Sequence, residues 1–385
     1  SRSMSKTWGL YAHIPYCVKK CAYCDFVSSS VGKNTRAEME DYAAALRAEI
    51  LREVPPLRAR WGDVTTVYIG GGTPTVLPAE LLTEILRTLI DTAGIPQECT
   101  VEANPGTVDA DCLAQVRAAG ANRLSLGVQS FDDRLLRAIG RIHTAEEARA
   151  AFHAARAAGF DNISLDLMYG LPTQTLDDLK TSVNAAIALA PEHISVYGLI
   201  IEEGTPFAAA EAAGQLALPS EDAAEEMYDC LMEELPAHGY ARYEISNFAL
   251  PGCHARHNTG YWQGDPYLGF GPSAHSYDGG RRRSFNVPSL TAYIKGMLSG
   301  ERGYSLEILT DEELQHEYIM TRLRTQWGIS LEAYQARFGE DARAKLLCLA
   351  EPFLSSGTLL REGDLLRLTP EGIFVSDGII ASLFC

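Results

Sequence analysis

The chain has 385 residues and a formal net charge of −17, with 46% hydrophobic and 22% charged residues. That acidity argues against a protein that grips phosphate backbones through a basic face, so no nucleic-acid partner is expected, and nine cysteines are too few and too odd in number for a disulfide scaffold. No run approaches the roughly 18 apolar residues of a membrane span and no signal-peptide pattern opens the chain, so reduced thiols and a cytoplasmic setting are expected.

Ser1–Ser3, ahead of Met4, read as an expression remnant outside the fold. From Trp8 to about Leu199 a short apolar strand, a polar or glycine-rich turn and an amphipathic helix recur. Strands are predicted at Gly9–Ile14, Thr65–Ile69, Cys99–Ala103, Arg123–Val128, Asn162–Leu167 and His193–Leu199. Met39–Leu51, Ala79–Leu89, Ala145–Ala157 and Leu176–Ala188 carry apolar residues at helical period between them. This alternation predicts an α/β fold, a partial (β/α)6 TIM-like barrel, whose functional groups gather where the strands end. Those ends supply the cysteine loop, Gly70-Gly71-Gly72-Thr73-Pro74, Glu102 and Asn104, Gln129, Asp166 with Tyr169, and Tyr197.

After about Gly204 the pattern changes. A helix is predicted over Glu221–Leu235, and Gly260–Tyr277 is rich in glycine and aromatics. Arg281, Arg282 and Arg283 read as a solvated loop. Beyond Thr310 three helical segments precede Leu359–Leu368, which reads as a hairpin, so a C-terminal α+β, winged-helix-like domain is expected. It lacks a basic recognition helix and reads as a packing or partner-binding module. The expected units are 4–205 (barrel), 206–300 (connecting region) and 301–385 (C-terminal domain).

Three of the nine cysteines, Cys17, Cys21 and Cys24, lie within eight residues at C-x3-C-x2-C. About 0.005 such triplets are expected from random order. A structural zinc site wants four protein ligands, and a second pair is missing unless His13 or a distant cysteine completes it. Three thiolates on a four-iron cubane leave one iron open for a chelating cofactor. The run from His13 through Cys17, Cys21 and Cys24 to Phe26 resembles the cluster loop of the radical S-adenosylmethionine (radical SAM) superfamily. The resemblance implies a 4Fe–4S cluster on these cysteines, with the methionine end of S-adenosylmethionine on the fourth iron. It also implies that the glycine run, through Gly71, Gly72 and Thr73, meets the cofactor's amino group. Tyr11 and Tyr23 would flank the cofactor, Glu102 and Gln129 hydrogen-bond it, Arg141 pair with its carboxylate and Asp166 accept from its ribose.

Gly127-Val-Gln-Ser-Phe, Leu165-Asp-Leu-Met-Tyr-Gly-Leu-Pro and the tail narrow the resemblance. They are similar to the group that holds oxygen-independent coproporphyrinogen III dehydrogenase and the HemW-like heme chaperones. The dehydrogenase carries a fourth cysteine where this chain has Phe26. The chaperones carry HNxxYW, here His257-Asn258-Thr259-Gly260-Tyr261-Trp262. The resemblance therefore implies heme held by an exposed His257, with Cys253 and His254 as alternative ligands, and transfer of heme to acceptor hemoproteins. Respiratory acceptors reached peripherally at the membrane, and a homodimer, are further expectations from the family. No catalytic residue is assigned. A coproporphyrinogen dehydrogenase-type enzyme is the rival reading, and a zinc-stabilised interaction protein the third. The other cysteines, Cys99, Cys112, Cys230, Cys253, Cys348 and Cys385, show no metal spacing.

Overall fold

Six strands with an apolar outer face and a polar inner face organise the molecule. In the computed structural model, which describes residues 5–17, 29–30, 35–199, 203 and 205–384 (29, 30 and 35 by backbone alone), they are β1 (Gly9–Ile14), β2 (Thr66–Gly71), β3 (Glu98–Ala103), β4 (Arg123–Gln129), β5 (Ile163–Tyr169) and β6 (His193–Gly198). They run parallel, each hydrogen-bonded to the next in chain order. The period of two divides each strand. In β1, Leu10, Ala12 and Ile14 are fully buried in the main core with Met39, Tyr42 and Leu46, whereas Gly9, Tyr11 and His13 line a cavity inside.

The strands and helices fall within a few residues of the sequence expectation, and Ala145–Ala157 is helical over the whole predicted span. Its start is fixed by a capping box in which Thr144 and Glu147 answer each other's backbone N–H. The Met39–Leu51 expectation is the middle of a longer helix, Thr35–Trp61. The Ala110–Ala118 helix between β3 and β4 has a weaker apolar stripe and escaped the periodicity reading.

Beyond β6 the chain returns to both edges of the same sheet. Strand β7 (Asn247–Ala249) adds antiparallel to β6, and β8 (Tyr267–Phe270) adds parallel to β1. β9 (His275–Tyr277), β10 (Arg282–Asn286) and β11 (Tyr304–Ile308) continue antiparallel. Among the described residues the sheet does not close on itself. The end of β8 is tied down by the fully buried Glu49, whose carboxylate accepts from the Gly271 N–H at 3.0 Å, the Tyr293 hydroxyl at 2.7 Å and the Asn286 amide at 2.8 Å.

The arginine triplet corrects the expectation of a solvated loop. Arg282 and Arg283 begin β10, and the guanidinium of Arg283 forms a half-buried ion pair with Glu317. The strand forms because Arg282–Asn286 pairs residue for residue with Tyr304–Ile308.

The C-terminal part has helices Asp311–Leu323, Leu331–Phe338 and Glu340–Ser356, then the hairpin Leu359–Glu362 and Leu365–Leu368, which Ile329–Ser330 extends to three strands. Ile319, Leu323, Ile329, Tyr334, Leu346 and Leu366 give it a separate core. This is the expected winged-helix-like arrangement. Among the described residues no helix is long and apolar enough to cross a membrane.

Candidate functional site

The short strand Tyr16–Cys17 follows β1 directly, and the glycine run at the end of β2 lies against it. The Gly72 N–H donates to the Ile14 carbonyl and the Thr73 N–H to the Tyr16 carbonyl, both at 2.7 Å. A Cβ on Gly72 would stand 2.5 Å from the Tyr16 carbonyl oxygen and 2.9 Å from Cys17 Sγ, so only glycine permits this approach. Gly71 sits at φ 115°, and a Cβ there would meet the His13 ring. Cys17 is buried beside this loop. Cys21, Cys24, Tyr23 and Phe26 lie outside the described residues.

Gly70 has a different task from its neighbours. A Cβ there would come within 2.8 Å of both Glu102 Oε1 and Tyr68 Cε1. Its absence clears the hydrogen bond from the Tyr68 hydroxyl to Glu102 Oε1, which measures 2.5 Å. Burial pushes the Glu102 carboxyl up to about 7, against the pull of Tyr68 and of the Gly71 N–H. Burial and the Glu102 charge together raise Asp166 to about 7, with Arg123 and Arg141 opposing. Gln129 ends β4 at φ 68°, a left-handed conformation that costs a non-glycine residue roughly 1 kcal/mol. Its buried Oε1 has no partner among the described residues. The Arg141 guanidinium donates to the Gly127 carbonyl.

Glu102 and Asp166 act on each other electrostatically, and Arg141 acts on Asp166. Tyr11 stacks on Tyr68 at 6.0 Å between ring centroids. The donor set suits an amino-acid zwitterion: carboxylates for an ammonium, a guanidinium for a carboxylate. The unanswered Gln129 oxygen and the glycine cradle at Cys17 also fit S-adenosylmethionine beside a cluster.

Below this set a cavity of about 740 Å³ opens on the unclosed side of the sheet. It reaches from Tyr11, His13 and Glu102 to His257, Trp262 and Arg324. Here the structure departs from the expectation of an exposed His257. The HNxxYW motif forms the helix Arg256–Trp262, and the Glu98 carboxylate accepts the N–H groups of both Arg256 and His257 at 2.9 Å, which draws the helix start against the barrel. The imidazole is half-buried, with Nδ1 2.8 Å from Thr66 Oγ1 and the ring stacked on Tyr68 at 5.3 Å and 25°. Burial lowers His257 to about 4, so the ring is neutral at physiological pH and keeps a nitrogen lone pair for a metal.

The alternative ligands lie elsewhere. Cys253 packs with Tyr243, Ala249 and Ala255, and the His254 ring contacts Tyr243 and Trp327. Neither lines the cavity. The sequence reading missed Thr66, Tyr68, Glu98 and Arg324, whose guanidinium lies 5.4 Å from the centre of the Trp262 ring. Thr66 and Tyr68 could have been found by counting back in twos from Gly70 along β2. Arg324 had no such signal, because it arrives from the C-terminal part.

A radical SAM superfamily model matches residues 11–186, and a HemN C-terminal domain model matches residues 309–375. The chain is 37% identical over 382 residues to the heme chaperone HemW of Bacillus subtilis (strain 168), covering 97% of this chain and 98% of that one. It is 36% identical over 381 residues to the heme chaperone HemW of Mycobacterium tuberculosis (strain ATCC 25618 / H37Rv), covering 98% and 94%. Among solved structures, coproporphyrinogen III oxidase (HemN) from Escherichia coli, a radical SAM enzyme, superposes with a TM-score of 0.85 at 24% identity, covering 99% of this chain and 90% of that one. At that identity the likeness concerns the fold.

Proposed function

This chain belongs to the HemW heme-chaperone family of radical SAM proteins, and from that membership we propose that it binds a 4Fe–4S cluster, S-adenosylmethionine and heme and passes heme to acceptor hemoproteins. Cys17, Cys21 and Cys24 would hold the cluster. Tyr11, Tyr23, Gly71, Gly72, Thr73, Glu102, Gln129, Arg141 and Asp166 would hold S-adenosylmethionine. When bound, the two supply one-electron chemistry that no side chain provides. The protein's own part is to position and shield: the glycines admit the ligand, Arg141 and the Glu102–Asp166 pair neutralise its charges, and His257 offers a neutral nitrogen.

The observation that carries the heme assignment is His257 itself, which faces a cavity large enough for a cofactor and is held through Nδ1 by Thr66. Arg324 and Arg256 add cations to the wall of an otherwise acidic protein, which suits a ligand bearing carboxylates. The finer expectations rest on the family resemblance alone: respiratory acceptors met at the membrane through protein contacts, a homodimer, and working units at 4–205, 206–300 and 301–385.

Heme titration of anaerobically reconstituted protein tests the reading. A Soret-band complex of one heme per chain is expected, and His257→Ala should weaken it at least tenfold. An unchanged complex in that variant would remove His257 as the ligand. Release of 5'-deoxyadenosine during turnover of coproporphyrinogen would instead favour the enzyme reading.

A further inference from the structure

Tyr68 touches both halves of the cavity, and neither the cluster loop nor HNxxYW includes it. Its hydroxyl donates to Glu102 at 2.5 Å, and its ring is the stacking surface for His257 at 5.3 Å. The contact is built into the strand: a side chain at position 70, two residues along β2, would collide with both Tyr68 and Glu102. On its other flank the ring meets Tyr11 at 6.0 Å and 22°. One rigid aromatic side chain therefore sets the orientation of the imidazole while its position is fixed by the carboxylate.

Resting on the proposed function, we propose that Tyr68 is a positioning residue that couples the two ligands, so that S-adenosylmethionine at Glu102 tightens heme binding at His257. The physical route is short. An ammonium beside Glu102 favours the ionised carboxylate, and a hydrogen bond to an ionised acceptor is stronger than one to a neutral acceptor. The Tyr68 hydroxyl is then held more firmly, and its ring narrows the range of His257 orientations. A ligand that needs one orientation of the imidazole gains what the first ligand has already ordered. By linkage the effect is reciprocal: heme tightens S-adenosylmethionine by the same factor.

Heme titrations followed at the Soret band, with and without saturating S-adenosylmethionine, read the coupling directly as a ratio of dissociation constants. Wild type should bind heme about fivefold or more tightly with S-adenosylmethionine, the lower end of ordinary coupling between sites. Tyr68→Phe keeps the ring and loses the hydroxyl. The link to Glu102 is then cut, so the ratio of heme dissociation constants without and with S-adenosylmethionine should fall below about twofold. Thr66→Val, which touches His257 but not Glu102, should weaken heme equally in both conditions and keep the ratio. The coupling is overturned if wild type shows no ratio, or if Tyr68→Phe preserves it. Absence of any heme complex in wild type would overturn the heme reading and the coupling with it, whereas a heme complex without a ratio removes the coupling alone.

Discussion

Two polar layers lie one above the other inside the barrel, and they differ in how fully their groups are answered. At the amino ends of the strands, Ser164 Oγ is 2.7 Å from His193 Nδ1, and His193 Nε2 is 2.7 Å from the Tyr243 hydroxyl. That hydroxyl also accepts the Ala255 N–H at 3.1 Å, and Glu98 accepts two more backbone donors. At the carboxyl ends, Gln129 Oε1 has no partner among the described residues, and two carboxyls are pushed up to about 7. The residue types are alike. A complete network is scaffolding, because every buried group has already exchanged water for protein, and an incomplete one keeps capacity for a ligand. Arg123 Nε and Asn162 Oδ1 are the floor's exceptions, both buried without a partner among the described residues, and the Arg123 charge bears on Glu102, Asp166 and His257 alike.

The same deletion in the two layers should therefore have different costs, and the largest is in the floor. Tyr243→Phe leaves the Ala255 N–H and His193 Nε2 buried without partners, which should cost about 2–3 kcal/mol in urea unfolding. A cost under about 0.5 kcal/mol would mean that water reaches this layer and that the contrast fails.

The rim should show itself next, as a pH dependence of stability in protein without ligands. In the native state Glu102 and Asp166 keep protons until about pH 7, whereas in the unfolded chain they have released them by the ordinary carboxylate range. Between about pH 4.5 and 7 the native state binds more protons, so this contribution to stability is full below that window and is lost as pH rises through it. Each proton held by the native state alone gives a slope of about 1.4 kcal/mol per pH unit within that window. Unfolding midpoints of wild type and of Glu102→Gln/Asp166→Asn across this window measure it. Equal slopes in the two proteins would show that the rim carboxyls are as well paired as the floor.

The rim was legible in the sequence and the floor was not, for a physical reason. Glu102, Gln129 and Asp166 each end or nearly end a strand, and the periods of two and of about 3.6 fix where strands end. Glycines at 70, 71 and 72 announce close approach in the sequence itself. The floor is assembled from Thr66, Glu98, Ser164, His193, Tyr243 and His257, which share no motif and meet only through strand register and the return of the chain after β6. Nothing local distinguishes His193, whose pKa burial pulls well below the usual histidine range, from an exposed histidine. The same cause misplaced His257: HNxxYW identified the residue, but its withdrawal into the barrel depends on Glu98, 159 residues away. Arg283 was misread likewise, because its partner Glu317 belongs to a different part of the chain.

The smaller effects sharpen the contrast from the rim side. Gln129→Ala removes a group whose Oε1 has no partner among the described residues, so stability should hardly change while S-adenosylmethionine affinity, measured by calorimetry, falls about tenfold, or about 1.4 kcal/mol. A stability loss above about 1 kcal/mol with unchanged affinity would make Gln129 a structural residue after all. Tyr11→Phe is the rim's counterpart to the floor deletion and should be the mildest of these changes. It removes a hydroxyl that lies 3.1 Å from His13 Nδ1, in a half-buried position that faces the cavity. Water in the cavity can take over that nitrogen, so the cost should stay near 0.5 kcal/mol, the low end for a lost hydrogen bond. The ring face that stacks on Tyr68 is kept, so S-adenosylmethionine affinity should change by less than about threefold, well under 1 kcal/mol. If Tyr11→Phe destabilises as much as Tyr243→Phe, the cavity is as dry as the floor, and unanswered polar groups at the rim must then be explained by strain in the fold and not by room for a ligand.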